Sequence, residues 1–492
     1  MGIIQKQTIK GTFYSYLGVI VGFITSVYLR PRALSAEQNG ILELLLSYSA
    51  IIVQLSSLGF QSASVRYFPY FRNQDKNNHG FLFLSILVSS AGFILCSLII
   101  WIGGPELLGA HNADSIVFEK YRFALMLLSF ALLFFGVFDN YNRALYDTVT
   151  GTALREFFQK FFVAIATALL MFTTMNFEKF MVIWLAANIL PTLIIGLKLA
   201  RDGNFTLQPD FEFLDKDIVR SMAAISFFAI LSGFTTMIIQ YIDKIMISKM
   251  LGLSQTGIYG ITIFFGTVIA MPSRVMYRVA GTIIADKWKE NDLSSIKSIY
   301  RKSCINQLLL GLLLFVGIWA NIDNVFYLLP KEYEAGKYVI LFVGLGSLFD
   351  MATGVNGVIL ATSRYFRFDT YFFIALIVVV IAANYLFIPL FGITGAALAA
   401  ASATLFFNLF RFLFVWIKFG MQPFNIKNLY ILLIGVGILF LIKLMPALPN
   451  FYFDIFVRSA FITIAYIGLI WYFNLSQEMN EVIEKNVKKY LG

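Results

Sequence analysis

AANYLFIPLFGITGAALAAASATLFFNLFRFLFVW, residues 382–416, is the stretch whose reading decides the fold. One apolar run ends at Ile388-Pro389. Leu390 to Ile393 form a short turn, and a second apolar run opens on Gly395-Ala396-Ala397. Nothing between the two runs is long enough or polar enough to fold as a loop. The runs approach the roughly 20 residues that an α-helix needs to cross a bilayer. The stretch therefore predicts a membrane helical hairpin with a pinched, four-residue turn.

The composition requires many such segments. Of the 492 residues, 59% are hydrophobic and 13% are charged, against about 25% charged in soluble domains. Apolar surface in that excess has to face lipid, and an aromatic content of 17% suits lipid-facing helices and interfacial belts. Fourteen spans are predicted, near 11–30, 40–64, 80–102, 121–143, 153–175, 178–200, 219–243, 257–280, 303–321, 335–362, 366–388, 392–417, 428–445 and 455–474. The first ends in Arg30-Pro31-Arg32 without a small-residue cleavage site, so it reads as a retained helix. After the last span comes a polar tail, in which Met479, Val482, Ile483 and Val487 have the spacing of a short amphipathic helix.

Lys and Arg placement sets the expected orientation. With the N-terminus inside, most of the 38 basic residues fall in inside connectors, and the long connectors 201–218 and 281–302 are the most basic. Both termini are then cytoplasmic. The net charge of +10 reflects this asymmetry and needs no nucleic-acid partner. Cys96 and Cys304 lie in apolar runs and His79 and His111 in separate connectors, a pattern that offers neither a disulfide framework nor a metal site. No cofactor is expected. No GxxxxGK[ST] loop occurs, so ATP hydrolysis by that route is not expected. The short connectors argue against a membrane glycosyltransferase or polymerase.

The chain repeats itself at an offset that lays Leu34 over Leu251. ALSAEQNGI at 33–41 then aligns with MLGLSQTGI at 250–258, matching Leu34, Gln38, Gly40 and Ile41 to Leu251, Gln255, Gly257 and Ile258. An offset of six spans keeps the orientation, so the repeats are parallel. The expected architecture is an all-α polytopic membrane protein built from two parallel-repeat six-helix bundles plus two C-terminal helices. Its parts are residues 1–200 (first bundle), 201–218 (cytoplasmic connector), 219–418 (second bundle), 419–474 (the last two helices) and 475–492 (tail). Transporters with parallel repeats bind substrate between the halves and rock them alternately.

Several motifs, in this order, are similar to those of the bacterial oligosaccharide flippases, the polysaccharide transporters of the superfamily that also holds multidrug and toxin extrusion carriers. They are LSAEQNGILELLLS with SLGFQSASVRYFPYF, YIDKIMISKMLGLSQTGIYGI at 241–261, NGVILATSRYFRFDTYFF at 356–373, and the IP-x-FG-x-x-GAA-x-A pattern of the opening hairpin. The resemblance covers most of residues 10–418. It implies a flippase that carries an undecaprenyl-diphosphate-linked oligosaccharide from the cytoplasmic to the outer leaflet of the bacterial inner membrane, by alternating access, for O-antigen, capsule or exopolysaccharide assembly. It also implies a cationic cavity, and as partners membrane lipids, a polysaccharide polymerase and glycosyltransferases. A cation-coupled multidrug exporter and a lipid-II-type flippase are the alternatives within the same superfamily.

Charge within a span costs about 2.5–3.5 kcal/mol on insertion scales and marks a pathway or a pair. Arg66, Arg143, Arg274 and Arg278 stand near cytoplasmic span ends. They are the candidates for gripping a diphosphate, which guanidinium binds through paired donors. Asp139 and Arg143, four apart, are expected to pair. Asp243-Lys244 reads as an interfacial acid–base element, and Glu43 as a solvated carboxylate one turn into its helix. Asp350, mid-helix in GLGSLFDMATG, has no cation nearby in sequence. It either finds one on another helix or holds a proton. Asp139, Asp243, Lys244 and Asp350 are thus the candidates for ion coupling or gating.

Overall fold

The computed structural model describes residues 3–107 and 115–481. His111 and the tail residues Val482, Ile483 and Val487 lie outside the described residues. Among the described residues the regular structure is all helical, without a strand. Thirteen helices among the described residues are long and apolar enough to cross a membrane. They fall on thirteen of the fourteen expected spans. The other, expected at 153–175, is also helical, through Val149–Ala153, a π-helical turn Leu154–Phe158 and Gln159–Phe172. Arg155, Glu156 and Lys160 make that run too charged to count as a span. Lys160 and Glu156 meet at 3.2 Å one helical turn apart, which lowers the cost of placing both charges there.

The opening hairpin is tighter than its sequence suggests. Its helices are Phe366–Phe391 and Ile393–Phe419, and one residue, Gly392, separates them. Pro389 stays within the last turn of the first helix. Gly392 takes φ +61° and ψ −141°, a backbone state that a Cβ disfavours, and its N–H closes the helix on Ile388 O at 2.8 Å. The second helix then buries Gly395, Ala396, Ala397, Ala399, Ala401 and Ala403. Lipid tails are as apolar as leucine, so helices in a bilayer associate through close packing rather than hydrophobic burial. A face of small residues supplies that packing.

The expected span at 40–64 is two helices. Ala36–Ser56 ends at a left-handed pair, Leu58 (φ +47°) and Gly59 (φ +69°), and Phe60–Phe71 continues in a new direction. Further on, Lys216–Leu251 and Leu253–Lys289 run well past their apolar windows. Both ends of the repeated motif follow the same register. One helix begins at Ala36, capped by Ser35 and Gln38, and the other at Leu253, each two residues after the aligned leucine.

The chain forms two compact units, residues 1–261 and 262–492. The first packs Leu42, Leu45, Tyr48, Leu125 and Phe118 into one core, with Phe68, Phe71, Phe81 and Tyr141 in a second. The second unit has one core around Leu308, Leu312, Met351, Ile438 and Tyr466, and another around Ile284, Tyr300, Cys304 and Val415. Cys96 and Cys304 are buried free thiols.

Candidate functional site

The first unit buries a three-charge network. Glu43, on Ala36–Ser56, accepts from Arg30 Nη1 through Oε1 at 2.9 Å and from Lys244 Nζ through Oε2 at 2.7 Å. The three side chains are only 7%, 11% and 15% exposed. Arg30 also donates to Asn39 Oδ1 at 2.9 Å. One carboxylate thus joins three segments of the chain: the end of the first span, the Ala36–Ser56 helix and the Lys216–Leu251 helix. Asp243, beside Lys244 in sequence, accepts instead from Tyr259 at 3.1 Å.

This corrects one reading of the sequence and extends another. Glu43 is 5% exposed, not solvated. Lys244 reaches across to Glu43 and Asp243 accepts from Tyr259, so each has a partner outside the dipeptide. Adjacent positions on a helix point in different directions, whereas partners lie three or four apart or on another helix. A carboxylate buried opposite two cations is the cheapest way to hold three charges out of water, since isolated burial costs far more.

Asp139 and Arg143 pair as expected, at 2.8 Å. Asp139 is buried and Arg143 is half exposed. The carboxylate lies against the Val149–Ala153 helix, where a Cβ on Gly151 would overlap it. Arg66 is exposed on Phe60–Phe71.

In the second unit Asp350 accepts from two neutral donors. Tyr277 Oη donates to Oδ2 at 2.8 Å and Asn408 Nδ2 to Oδ1 at 3.1 Å. Asn408 Oδ1 in turn accepts from Thr353 Oγ1 at 3.0 Å and Asn356 Nδ2 at 3.3 Å. No ion pair involves Asp350 among the described residues. The nearby cation Arg411, one turn beyond Asn408, is engaged elsewhere: Nε and Nη2 reach Asp369 Oδ1 at 2.8 and 2.7 Å. The guanidinium also stacks 4.0 Å from the Phe407 ring centroid and 5.0 Å from that of Phe373. Asp350 is therefore a carboxylate held by two neutral donors, with an ion pair one turn along the helix that carries Asn408. Arg274 and Arg278 are both exposed, one turn apart on Leu253–Lys289.

Sequence reasoning passed over Arg30, Glu43, Asp369 and Arg411 as a set. A signal was available, since each is a charge inside or at the end of an apolar run. Assigning Glu43 to Arg30 and Lys244 required the fold, whereas Asp369 and Arg411 face each other across the hairpin.

The model of a family described as "Polysaccharide biosynthesis protein" matches residues 6–284. No curated protein matches the chain. Among solved structures, the inward closed conformation of the lipid II flippase MurJ is similar with a TM-score of 0.73 at 13% identity, covering 94% of this chain and 98% of that one. An inward-facing multidrug resistance MATE family transporter of the MOP superfamily follows at 0.63 and 14% identity, over 83% of this chain and 94% of its own. An outward-facing conformation of such a transporter reaches 0.52 at 12% identity, over 85% and 97%. The fold is shared with flippases and transporters.

Proposed function

The chain belongs to the polysaccharide biosynthesis protein family, and from that membership we propose that it is a flippase for an undecaprenyl-diphosphate-linked oligosaccharide. It carries this lipid from the cytoplasmic to the outer leaflet of the bacterial inner membrane by alternating access, with both termini cytoplasmic. The product feeds O-antigen, capsule or exopolysaccharide assembly, where a polymerase and glycosyltransferases are the partners. The observation that carries the reading is the family match across residues 6–284. The fold likeness to a lipid II flippase over nearly the whole chain supports it.

We assign the grip on the diphosphate to Arg66, Arg143, Arg274 and Arg278. Arg274 and Arg278 carry no ion pair among the described residues, so their paired donors are available to phosphate oxygens. Asp350 is assigned to ion coupling, because its partners Tyr277 and Asn408 are neutral and leave its charge uncompensated by an ion pair. Asp139, Asp243 and Lys244 are assigned to gating, through pairs that hold one conformation. The energy for net transport comes from an ion gradient, the membrane potential or removal of product.

The test uses purified protein in liposomes that contain a fluorescent polyprenyl-diphosphate oligosaccharide. An external, membrane-impermeant sugar-modifying enzyme reports access to the inner-leaflet pool. Protein-dependent access that is lost in Arg274→Ala/Arg278→Ala supports the function and the grip. Normal flipping by that variant at normal expression removes the grip assignment. The multidrug-transporter likeness supports a second reading, export of cationic drugs. Dye transport without lipid access in the same vesicles establishes that one.

A further inference from the structure

The connection between Leu293–Ala320 and Lys337–Ala352 is short, yet it builds a pocket of its own. Ile322–Leu328 forms a brief helix, Lys331–Gly336 a 3-10 turn, and the next helix opens at Lys337. Between them lies a concave site of about 490 Å³ lined by Asp323, Phe326, Tyr327, Glu334, Lys337 and Tyr338. Its volume is within the roughly 300–1,000 Å³ range of small-molecule sites. This end of the helices is opposite the basic 281–302 connector, so the orientation rule places it outside the cell.

The walls combine two kinds of group. Tyr327 and Tyr338 are 72% and 55% exposed. Tyr327 is backed by Phe451, near-parallel to it with centroids 6.1 Å apart. The charged groups are Asp323, Glu334 and Lys337, with Lys337 Nζ at 2.6 Å from Asp323 Oδ1. Glu334 makes no ion pair among the described residues, and the site carries a net negative charge. The frame beneath is fixed. Tyr333 is fully buried, and Asn324 donates to Asp454 on the last span.

Aromatic residues that merely mark the membrane interface need no concave wall and no carboxylate beside them. Exposed ring faces next to unpaired carboxylate oxygens suit one ligand chemistry well. A pyranose ring has an apolar face of C–H groups that packs on an aromatic ring, and its hydroxyls donate to carboxylates and accept from ammonium. We infer that the 322–338 connection is an outer-face subsite for neutral sugar rings, which stack on Tyr327 and Tyr338 and hydrogen-bond to Asp323, Glu334 and Lys337. The net negative charge disfavours acidic sugars. The inference rests on the flippase reading and extends it: the glycan meets this site as it emerges, before the enzymes that extend or ligate it.

The test is saturation-transfer NMR on the full-length protein in lipid nanodiscs. The probes are chitotetraose and cellotetraose as neutral sugars and tetragalacturonate as the acidic one. The neutral probes are expected to receive saturation, and tetragalacturonate is not. Tyr327→Ala/Tyr338→Ala is expected to weaken neutral binding by about tenfold or more. Tyr327→Phe/Tyr338→Phe keeps the ring faces and retains most of it, so loss of fold and loss of stacking are separated. Glu334→Gln weakens binding with the aromatic face intact. The inference is overturned if no neutral probe binds at millimolar concentration, if the double alanine variant binds as the wild type does, or if tetragalacturonate binds best. The liposome assay keeps the two readings apart. Wild-type flipping with no sugar binding removes the subsite alone, whereas sugar binding without lipid access removes the flippase reading and leaves the subsite.

Discussion

Gly40 and Gly257 lie back to back: a Cβ built on Gly257 would stand 2.8 Å from the Gly40 nitrogen and 1.9 Å from the Ala36 carbonyl oxygen. The contact is reciprocal, because a Cβ on Gly40 would meet Leu253 O at 2.0 Å. Ala36 and Leu253 are themselves aligned residues of the repeat, as are Gly40 and Gly257. Each copy thus presents its glycine to the first helical residue of the other. The absence of side chains lets the backbones touch.

Gly40→Ala and Gly257→Ala each force backbone atoms apart, since no flexible side chain can yield. Overpacking of this kind costs about 1–3 kcal/mol. Each variant is expected to lower the thermal unfolding midpoint of the detergent-purified protein. Gly437→Ala and Gly468→Ala, with nothing within 4 Å of the added methyl, serve as controls and are expected to leave it unchanged. Equal midpoints for all four would remove the contact from the account.

Glu43→Gln leaves two buried cations facing a neutral amide. Breaking a buried pair from one side costs about 3–5 kcal/mol. Lys244→Met is milder, because Arg30 still neutralises Glu43 at 2.9 Å. The double variant Glu43→Gln/Lys244→Met should cost less than the sum of the singles, with an interaction energy of roughly 0.5–3 kcal/mol. Denaturation midpoints of the four proteins give the cycle. Additive losses would show that the network contributes nothing as a unit.

Asp147, in the connection after Arg122–Ala144, gives a pH dependence. Its carboxyl is raised by partial burial, but hydrogen bonds from Lys198 and Thr150 outweigh this and hold it below the usual range. The amides of Val149 and Thr150 also donate to it, both at 3.1 Å. A depressed carboxyl contributes stability above its ordinary pKa, near ~4, and loses it as pH falls through the lower folded value. Wild-type thermal stability is therefore expected to fall more steeply than that of Asp147→Asn as pH is lowered from 6 toward about 3. Parallel curves for the two proteins would contradict this.

Much of the fold was legible because a bilayer restricts the choices. A run of apolar residues long enough to span has to satisfy its backbone internally, so it is helical. The hairpin at 366–419 and the aligned turns at Ser35 and Gly252 follow from that rule with the local glycines. Chemistry that pairs remote segments was less legible. Glu43 and Lys244 are separated by long stretches of apolar chain whose lengths do not specify which helices touch, whereas Asp369 and Arg411 stand on the two helices of the hairpin and their pairing was within reach of the sequence. The sequence pairing that did hold, Asp139 with Arg143, is local, four residues apart on one helix. The break at Leu58–Gly59 was hidden for another reason. The residues around it are apolar or small, so composition runs smoothly through a change in backbone direction.

Asp350 offers the sharpest separation of fold from function. In Asp350→Asn the side chain keeps its shape, and both hydrogen-bond positions can still be filled. The amide oxygen can accept from Asn408 Nδ2, and the amide nitrogen can donate to Tyr277, whose hydroxyl accepts as well as donates. The variant thus removes a charge while sparing the network that links Tyr277, Thr353, Asn356 and Asn408. Folding and thermal midpoint are expected to stay close to wild type. Lipid access in liposomes, by contrast, is expected to lose its response to an imposed proton or sodium gradient. Arg411→Lys provides the complementary case. It keeps a charge near Asp369 but gives up the planar guanidinium that reaches Asp369 while stacked on Phe407 and Phe373, so it should lower stability. A gradient response preserved in Asp350→Asn would move ion coupling to another residue and leave Asp350 with a packing role alone.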